Sequence, residues 1–313
     1  MTHKTARIVF MGTPAFAAPS LDALIKAGHE VIAAVTQPDK PSGRGQRNQS
    51  CPVKELATQN NIPVLQPAKV REEGFIESLR GLKPDFIAVV AYGKILPAAI
   101  LSIPPQGCIN LHASLLPAYR GAAPINWAII NGEKETGACS MLMDEGMDTG
   151  PVYFCERTPI EPDETAEDLA KRLSLLGAGL LARTIGLILE GGIKPVAQEH
   201  EKATNAPILK KEHGRINWNN EAQKIADHVR GFYPWPGAFT SWKGLLKVHS
   251  GRATQEDTQG IEPGTILEAK DTIKVACGQG IYEITELQPE NKKRMNAADF
   301  VKGYRMQKGD RLV

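Results

Sequence analysis

With 313 residues, a formal net charge of +2, 42% hydrophobic and 23% charged residues, the chain has the balance of a soluble globular protein long enough for two domains. A charge this small makes no demand for nucleic acid by itself. The five cysteines, Cys51, Cys108, Cys139, Cys155 and Cys277, lack C-x-x-C spacing, so neither a zinc site nor a disulfide framework is expected, and an odd count fits a reducing compartment.

Residues 7–12 read as a short β run, 15–27 as a helix closed by Gly28, and 29–37 as the next strand. Residues 53–59 suit a helix, 63–66 an extended piece, 71–82 a helix, and 86–91 and 107–111 two buried strands. This βαβα order predicts an α/β fold, a Rossmann-like, mostly parallel sheet with helices on both faces. A further helix starts at Thr165, which takes capping-box spacing with Asp168. It runs through Leu169, Leu173, Leu176 and Leu180 to a stop at Gly191-Gly192. Its leucines are expected to pack on the sheet. Residues 192–210, polar and interrupted by Pro195 and Pro207, are expected to link a larger domain at 1–191 to a smaller domain at 211–313. In the latter, 265–269, 273–277 and 280–287 are short β runs between turn residues, the texture of a small barrel. No apolar stretch approaches the roughly 20 residues of a membrane span. The first residues pass into a strand without the apolar core of a signal peptide, so a cytoplasmic protein is expected.

Open α/β sheets present the carboxyl ends of their strands to the ligand crevice. The run at 107–111 leads into Asn110 and His112, two residues apart and therefore on one side of a strand. An asparagine polarises a carbonyl, a histidine moves a proton near neutral pH, and a carboxylate such as Asp148 orients that histidine, a set suited to acyl transfer. Singly, Asn110 reads as a strand-end cap, His112 as a hydrogen-bonded core histidine and Asp148 as a turn aspartate. The three together, with H-A-S-L-L-P-A-Y-R-G-A-A-P attached, are poorly explained that way. Asp148-Thr149-Gly150 is no aspartic-protease signature, because that chemistry needs two such carboxylates and the triplet occurs once.

The segment N-L-H-A-S-L-L-P-A-Y-R-G at 110–121, followed by D-E-G-M-D-T-G at 144–150, resembles the folate-dependent formyltransferase superfamily. F-M-G-T-P-A-F, T-Q-P-D-K-P-S-G-R-G, V-V-A-Y-G-K-I-L-P, G-F-Y-P-W-P-G-A and the closing G-D-R-L-V extend the likeness nearly end to end, most closely to members that act on initiator tRNA. The resemblance implies formyl transfer from 10-formyltetrahydrofolate to the α-amine of methionine on initiator tRNA. It puts Asn110, His112 and Asp148 in the catalytic roles, Ser114, Leu115, Leu116 and Pro117 at the folate, and Arg44, between two glycines, at the acceptor end of the tRNA. His112, or a water held by Asp148, would move the proton. It also implies an OB-like fold for the second domain. The usual lysines after G-R-G are replaced here by Gln46, Arg47 and Asn48. Formyltransferases acting on glycinamide ribonucleotide would lack the last hundred residues or so, and those acting on amino sugars tend to R-G-R-A-P where this chain has R-G-A-A-P.

No G-x-G-x-x-G follows the first strand, so no nicotinamide cofactor is expected, and no metal cluster is apparent. Residues 291–313 carry seven basic side chains against Asp299 and Asp310, a net +5 suited to steering RNA. Trp235 and Trp242 are expected to pack near the domain junction rather than under bases. A monomer is expected.

Overall fold

The computed structural model describes residues 4–42, 47–258 and 260–313. The chain forms two compact units, one of Met1–Pro124, Glu135–Thr158 and Ala170–Pro207, the other of Ile125–Lys134, Pro159–Leu169 and Ile208–Val313.

Up to residue 190 the elements are β1 (Arg7–Gly12), α1 (Ala18–Lys26), β2 (Glu30–Val35), β3 (Lys40–Ser42), β4 (Arg47–Gln49), α2 (Pro52–Gln59), β5 (Val64–Leu65), α3 (Glu73–Leu82) and β6 (Phe86–Val90). They continue with α4 (Ala98–Leu101), β7 (Cys108–His112), β8 (Arg120–Gly121), α5 (Pro124–Ile130), β9 (Glu135–Leu142), β10 (Val152–Pro159) and α6 (Ala166–Glu190). Seven strands form one sheet in the order β10-β9-β7-β6-β1-β2-β5. Pairing is parallel from β5 through β7 and antiparallel between β7 and β9. The mostly parallel sheet is the one expected from the βαβα order.

Every residue of β6 and β7 is buried, as strands covered on both faces must be. Alternate side chains feed two cores. Phe10, Ala88, Ile109 and Leu111 pack with Leu21 of α1 and with Leu180, Leu181 and Ile185 of α6. Met11, Val35, Ile87 and Val89 pack with Ile76 and Leu79 of α3 and with Ile100.

By length and composition alone α6, 25 residues long, could cross a membrane, contrary to the expectation that no stretch approached that size. A helix lying on a sheet needs a wide apolar face, and Leu169, Leu173, Leu180, Leu181 and Ile185 are all buried here while Leu175 is exposed. At its start the Asp168 amide donates to Thr165 Oγ1 at 3.3 Å and the Thr165 hydroxyl to Asp168 Oδ2 at 2.6 Å, so Asp fills the place usually held by Glu.

Residues 192–207, read as the start of a linker, fold into the first unit. Val196 and Val152 exchange backbone hydrogen bonds of 2.8 Å, and β11 (Asn205–Ala206) pairs with β8. Two cysteines also depart from expectation: Cys139 on β9 and Cys155 on β10 are joined as a disulfide, with 4.1 Å between Cα atoms. Strand adjacency brings them together, which their separation of 16 residues does not reveal.

The second unit adds α7 (Ala222–Gly231), β12 (Ala238–Ser241), β13 (Leu245–Thr254), β14 (Ile266–Ala269), β15 (Ile273–Ala276), β16 (Ile281–Pro289), β17 (Met295–Asn296) and α8 (Ala297–Tyr304). Its strands form an antiparallel sheet in the order β12-β13-β16-β15-β14, with β17 beside β16, consistent with a small barrel. Trp218, Ile225, Val248, Ile273, Tyr282 and Phe300 fill its core. Trp242 packs edge-on against Phe300 at 5.6 Å within this unit, and Trp235 is 52% exposed.

Candidate active site

Asn110 and His112 end β7 on one face of the sheet, two residues apart as the strand period requires. Both are buried, and among the described residues the Asn110 carboxamide has no hydrogen-bond partner. A carboxamide left without a protein partner in a mostly buried side chain is available to a bound molecule.

His112 is held at one nitrogen and faces a carboxylate with the other. Its Nε2 lies 2.9 Å from the Tyr119 carbonyl, which can only accept, so Nε2 carries a proton. Its Nδ1 faces Asp148 Oδ2 at 3.5 Å. Only the imidazolium donates in both directions. The gap at Nδ1 is longer than a hydrogen bond, which leaves that edge open to a third group.

Asp148 lies in the turn between β9 and β10 with φ +53°, a left-handed conformation that aspartate tolerates better than most residues. The Gly121 amide donates to its Oδ2 at 2.8 Å. Within the turn, Asp144 Oδ1 accepts from the Thr149 hydroxyl at 2.6 Å and the Gly146 amide at 3.0 Å. The structure therefore brings Asn110, His112 and Asp148 to one end of β7.

Ser114 is fully buried, and its hydroxyl donates to the Ala118 carbonyl at 2.6 Å. It closes the loop on which Leu115, Leu116 and Pro117 stand half-buried. Arg44 lies outside the described residues. The root of its loop is fixed: Asp39 accepts from Lys54 Nζ at 2.5 Å and from Gln66 Nε2 at 2.9 Å. Lys54 first, then Gln66, hold the Asp39 carboxyl below the usual carboxylate range.

Sequence reading missed Gln198. Its Nε2 donates to the Asp148 carbonyl at 2.9 Å and the Gly150 carbonyl at 2.7 Å, and its Oε1 accepts from Arg120 Nε at 3.2 Å and Nη2 at 2.6 Å. No local pattern announces it, since its partners lie about fifty and eighty residues upstream. Among the described residues no cluster of three or more His, Cys, Asp or Glu could hold a metal ion.

Residues 6–185 match the formyl transferase family and residues 208–305 the formyl transferase C-terminal domain. The chain is 52% identical over 308 residues to the methionyl-tRNA formyltransferase of Citrifermentans bemidjiense, covering 98% of this chain and 96% of that one. It is 51% identical over 309 residues to the methionyl-tRNA formyltransferase of Trichlorobacter lovleyi, covering 98% and 97%. Among solved structures, an N-formyltransferase from Helicobacter canadensis, in complex with folinic acid and dTDP-3-aminofucose, superposes with a TM-score of 0.67 over 90% of this chain and 98% of that one. At 19% identity that likeness is one of fold. The chain belongs to the formyl transferase family, among the methionyl-tRNA formyltransferases.

Proposed function

We propose that the chain transfers a formyl group from 10-formyltetrahydrofolate to the α-amine of methionine carried on initiator tRNA, through Asn110, His112 and Asp148. The observation that carries this reading is the meeting of an unpaired buried carboxamide with a histidine–carboxylate pair at the end of β7. Sequence identity of about half to enzymes named for this reaction supports the choice of acceptor.

The amine attacks the formyl carbon, an N–C bond forms, and the carbonyl oxygen becomes an oxyanion. Asn110 donates to that oxygen. His112 Nε2 is committed to the Tyr119 carbonyl, so Nδ1 is the nitrogen left for substrate. The second oxygen of Asp148 has no partner among the described residues and accepts from the attacking amine or from a water on it. The amine proton passes through this pair to the folate nitrogen as the old C–N bond breaks. Either member of the pair can be the carrier. Leu115, Leu116 and Pro117 offer the folate an apolar wall, with Ser114 setting the loop's shape. Arg44 addresses the acceptor end of the tRNA, and the second unit supplies further RNA contacts. The protein works as a monomer in the cytoplasm.

The test is transfer of labelled formyl to methionine charged on initiator tRNA, with methionine on elongator tRNA beside it. Formylation of the initiator alone is expected. Asn110→Ala, His112→Ala and Asp148→Ala should each lower kcat by about 10² or more. No transfer to either tRNA, with the donor still consumed, would redirect the reading to a small amine acceptor.

A further inference from the structure

The turn carrying Asp148 needs an external hold. Its φ of +53° is a conformation that a residue with a β-carbon adopts at a cost, and the internal ties through Asp144 reach only Gly146 and Thr149. The backbone carbonyls of Asp148 and Gly150 face Gln198 instead, and its amide nitrogen donates to both. A primary amide has two donor hydrogens and two acceptor lone pairs. All four are used here, the oxygen's two by the Arg120 guanidinium. The orientation of the amide is unambiguous, because carbonyls demand the nitrogen on one side and a guanidinium the oxygen on the other. Arg120 is also the residue before Gly121, whose amide holds the Asp148 carboxylate. Gln198 thus ties the backbone of the aspartate to the strand that grips its side chain.

We infer that Gln198 is a positioning residue for formyl transfer: it acts through Asp148, keeping the carboxylate aimed at His112 without touching substrate. The inference rests on the catalytic assignment of Asp148 made above. Its chemical content is the donation from Nε2, since the pairing of Oε1 with Arg120 serves only to orient the amide. Side chains that pair with Arg120 but cannot donate will not replace it.

The experiment measures kcat and KM for the formyl donor in the full chain. Gln198→Ala should lower kcat by about 10- to 100-fold, as small misplacements of catalytic groups do, with KM for the donor within about twofold. Gln198→Glu keeps an acceptor for Arg120 but sets a carboxylate against two carbonyls, so it should be no better than Gln198→Ala. In an Asp148→Asn background, Gln198→Ala should cost almost nothing further, because the group it positions is gone. A purely structural role would instead give additive losses and a lowered thermal midpoint. Wild-type kcat in Gln198→Glu, or full additivity with Asp148→Asn, overturns the inference. An inactive wild-type chain would instead defeat the functional reading on which it stands.

Discussion

Gly121 meets three demands at once. Its φ is +120°, a β-carbon there would lie 2.7 Å from the Ala206 carbonyl oxygen, and its amide is the donor to Asp148 Oδ2. Only a residue without a side chain lets β8 approach β11 this closely. Gly121→Ala is expected to cost about 1–3 kcal/mol of stability through the forced conformation alone, and to lower kcat because the Asp148 donor shifts. Gly179 is the control, since it lies in the exposed part of α6 with nothing within 4 Å of an added β-carbon. Gly179→Ala should stabilise the chain by about 0.5–1 kcal/mol, the ordinary helix penalty of glycine removed. Denaturant titrations of both variants measure the contrast. Equal shifts would mean that the close approach at β8 is not what selects glycine.

At the scale of elements, α7 carries a half-buried histidine whose protonation opposes folding. Burial of His228 against Phe232, with ring centroids 4.6 Å apart, lowers its pKa from the ordinary 6.5, and its bond to the Gly214 carbonyl only partly offsets this. Near and below pH 6.5 the unfolded chain therefore binds the proton more readily than the folded one. Stability from this group is present above 6.5 and is lost as pH falls toward the lower, folded value. His228→Gln keeps a donor for Gly214 without titrating, so its urea midpoint should fall less between pH 7.5 and 5 than that of wild type. Parallel curves would refute the burial account. Elements of this kind were only partly legible in the sequence. β1 and β6 were readable because buried strands form apolar runs, β7 because its apolar residues lead into Asn110 and His112, and α6 because it repeats leucine at helical spacing. β9, with Gly, Ala, Cys and Ser in its centre, and β10, half exposed, show neither period and were missed. Asn110, His112 and Asp148 were legible through their flanking motif. Gln198 was not, because it recognises backbone carbonyls, and any sequence leaves those in place.

For the whole molecule, charge placement matters more than its sum. The chain totals +2 while residues 291–313 carry +5. Two of those cations are already paired, Arg294 with Glu286 and Arg311 with Glu262. Among the described residues, Lys292, Lys293, Lys302, Arg305 and Lys308 make no ion pair, and all five are exposed or nearly so. If the second unit holds RNA as proposed, these side chains displace counterions from phosphates, and affinity falls with salt by about 0.7–0.9 logarithmic units per contact for each tenfold rise. Replacing Lys302 and Lys308 together by alanine should flatten that slope by about 1–2 and raise KM for the tRNA, with kcat at saturating tRNA retained. Arg294→Ala should leave the slope nearly unchanged, since its charge is engaged by Glu286, although its loss frees that carboxylate within the same unit. Filter-binding titrations from about 50 to 200 mM salt separate these cases. An unchanged slope in the double lysine variant would make the basic C-terminal stretch a solvated surface, and tRNA recognition would then fall to the Arg44 loop.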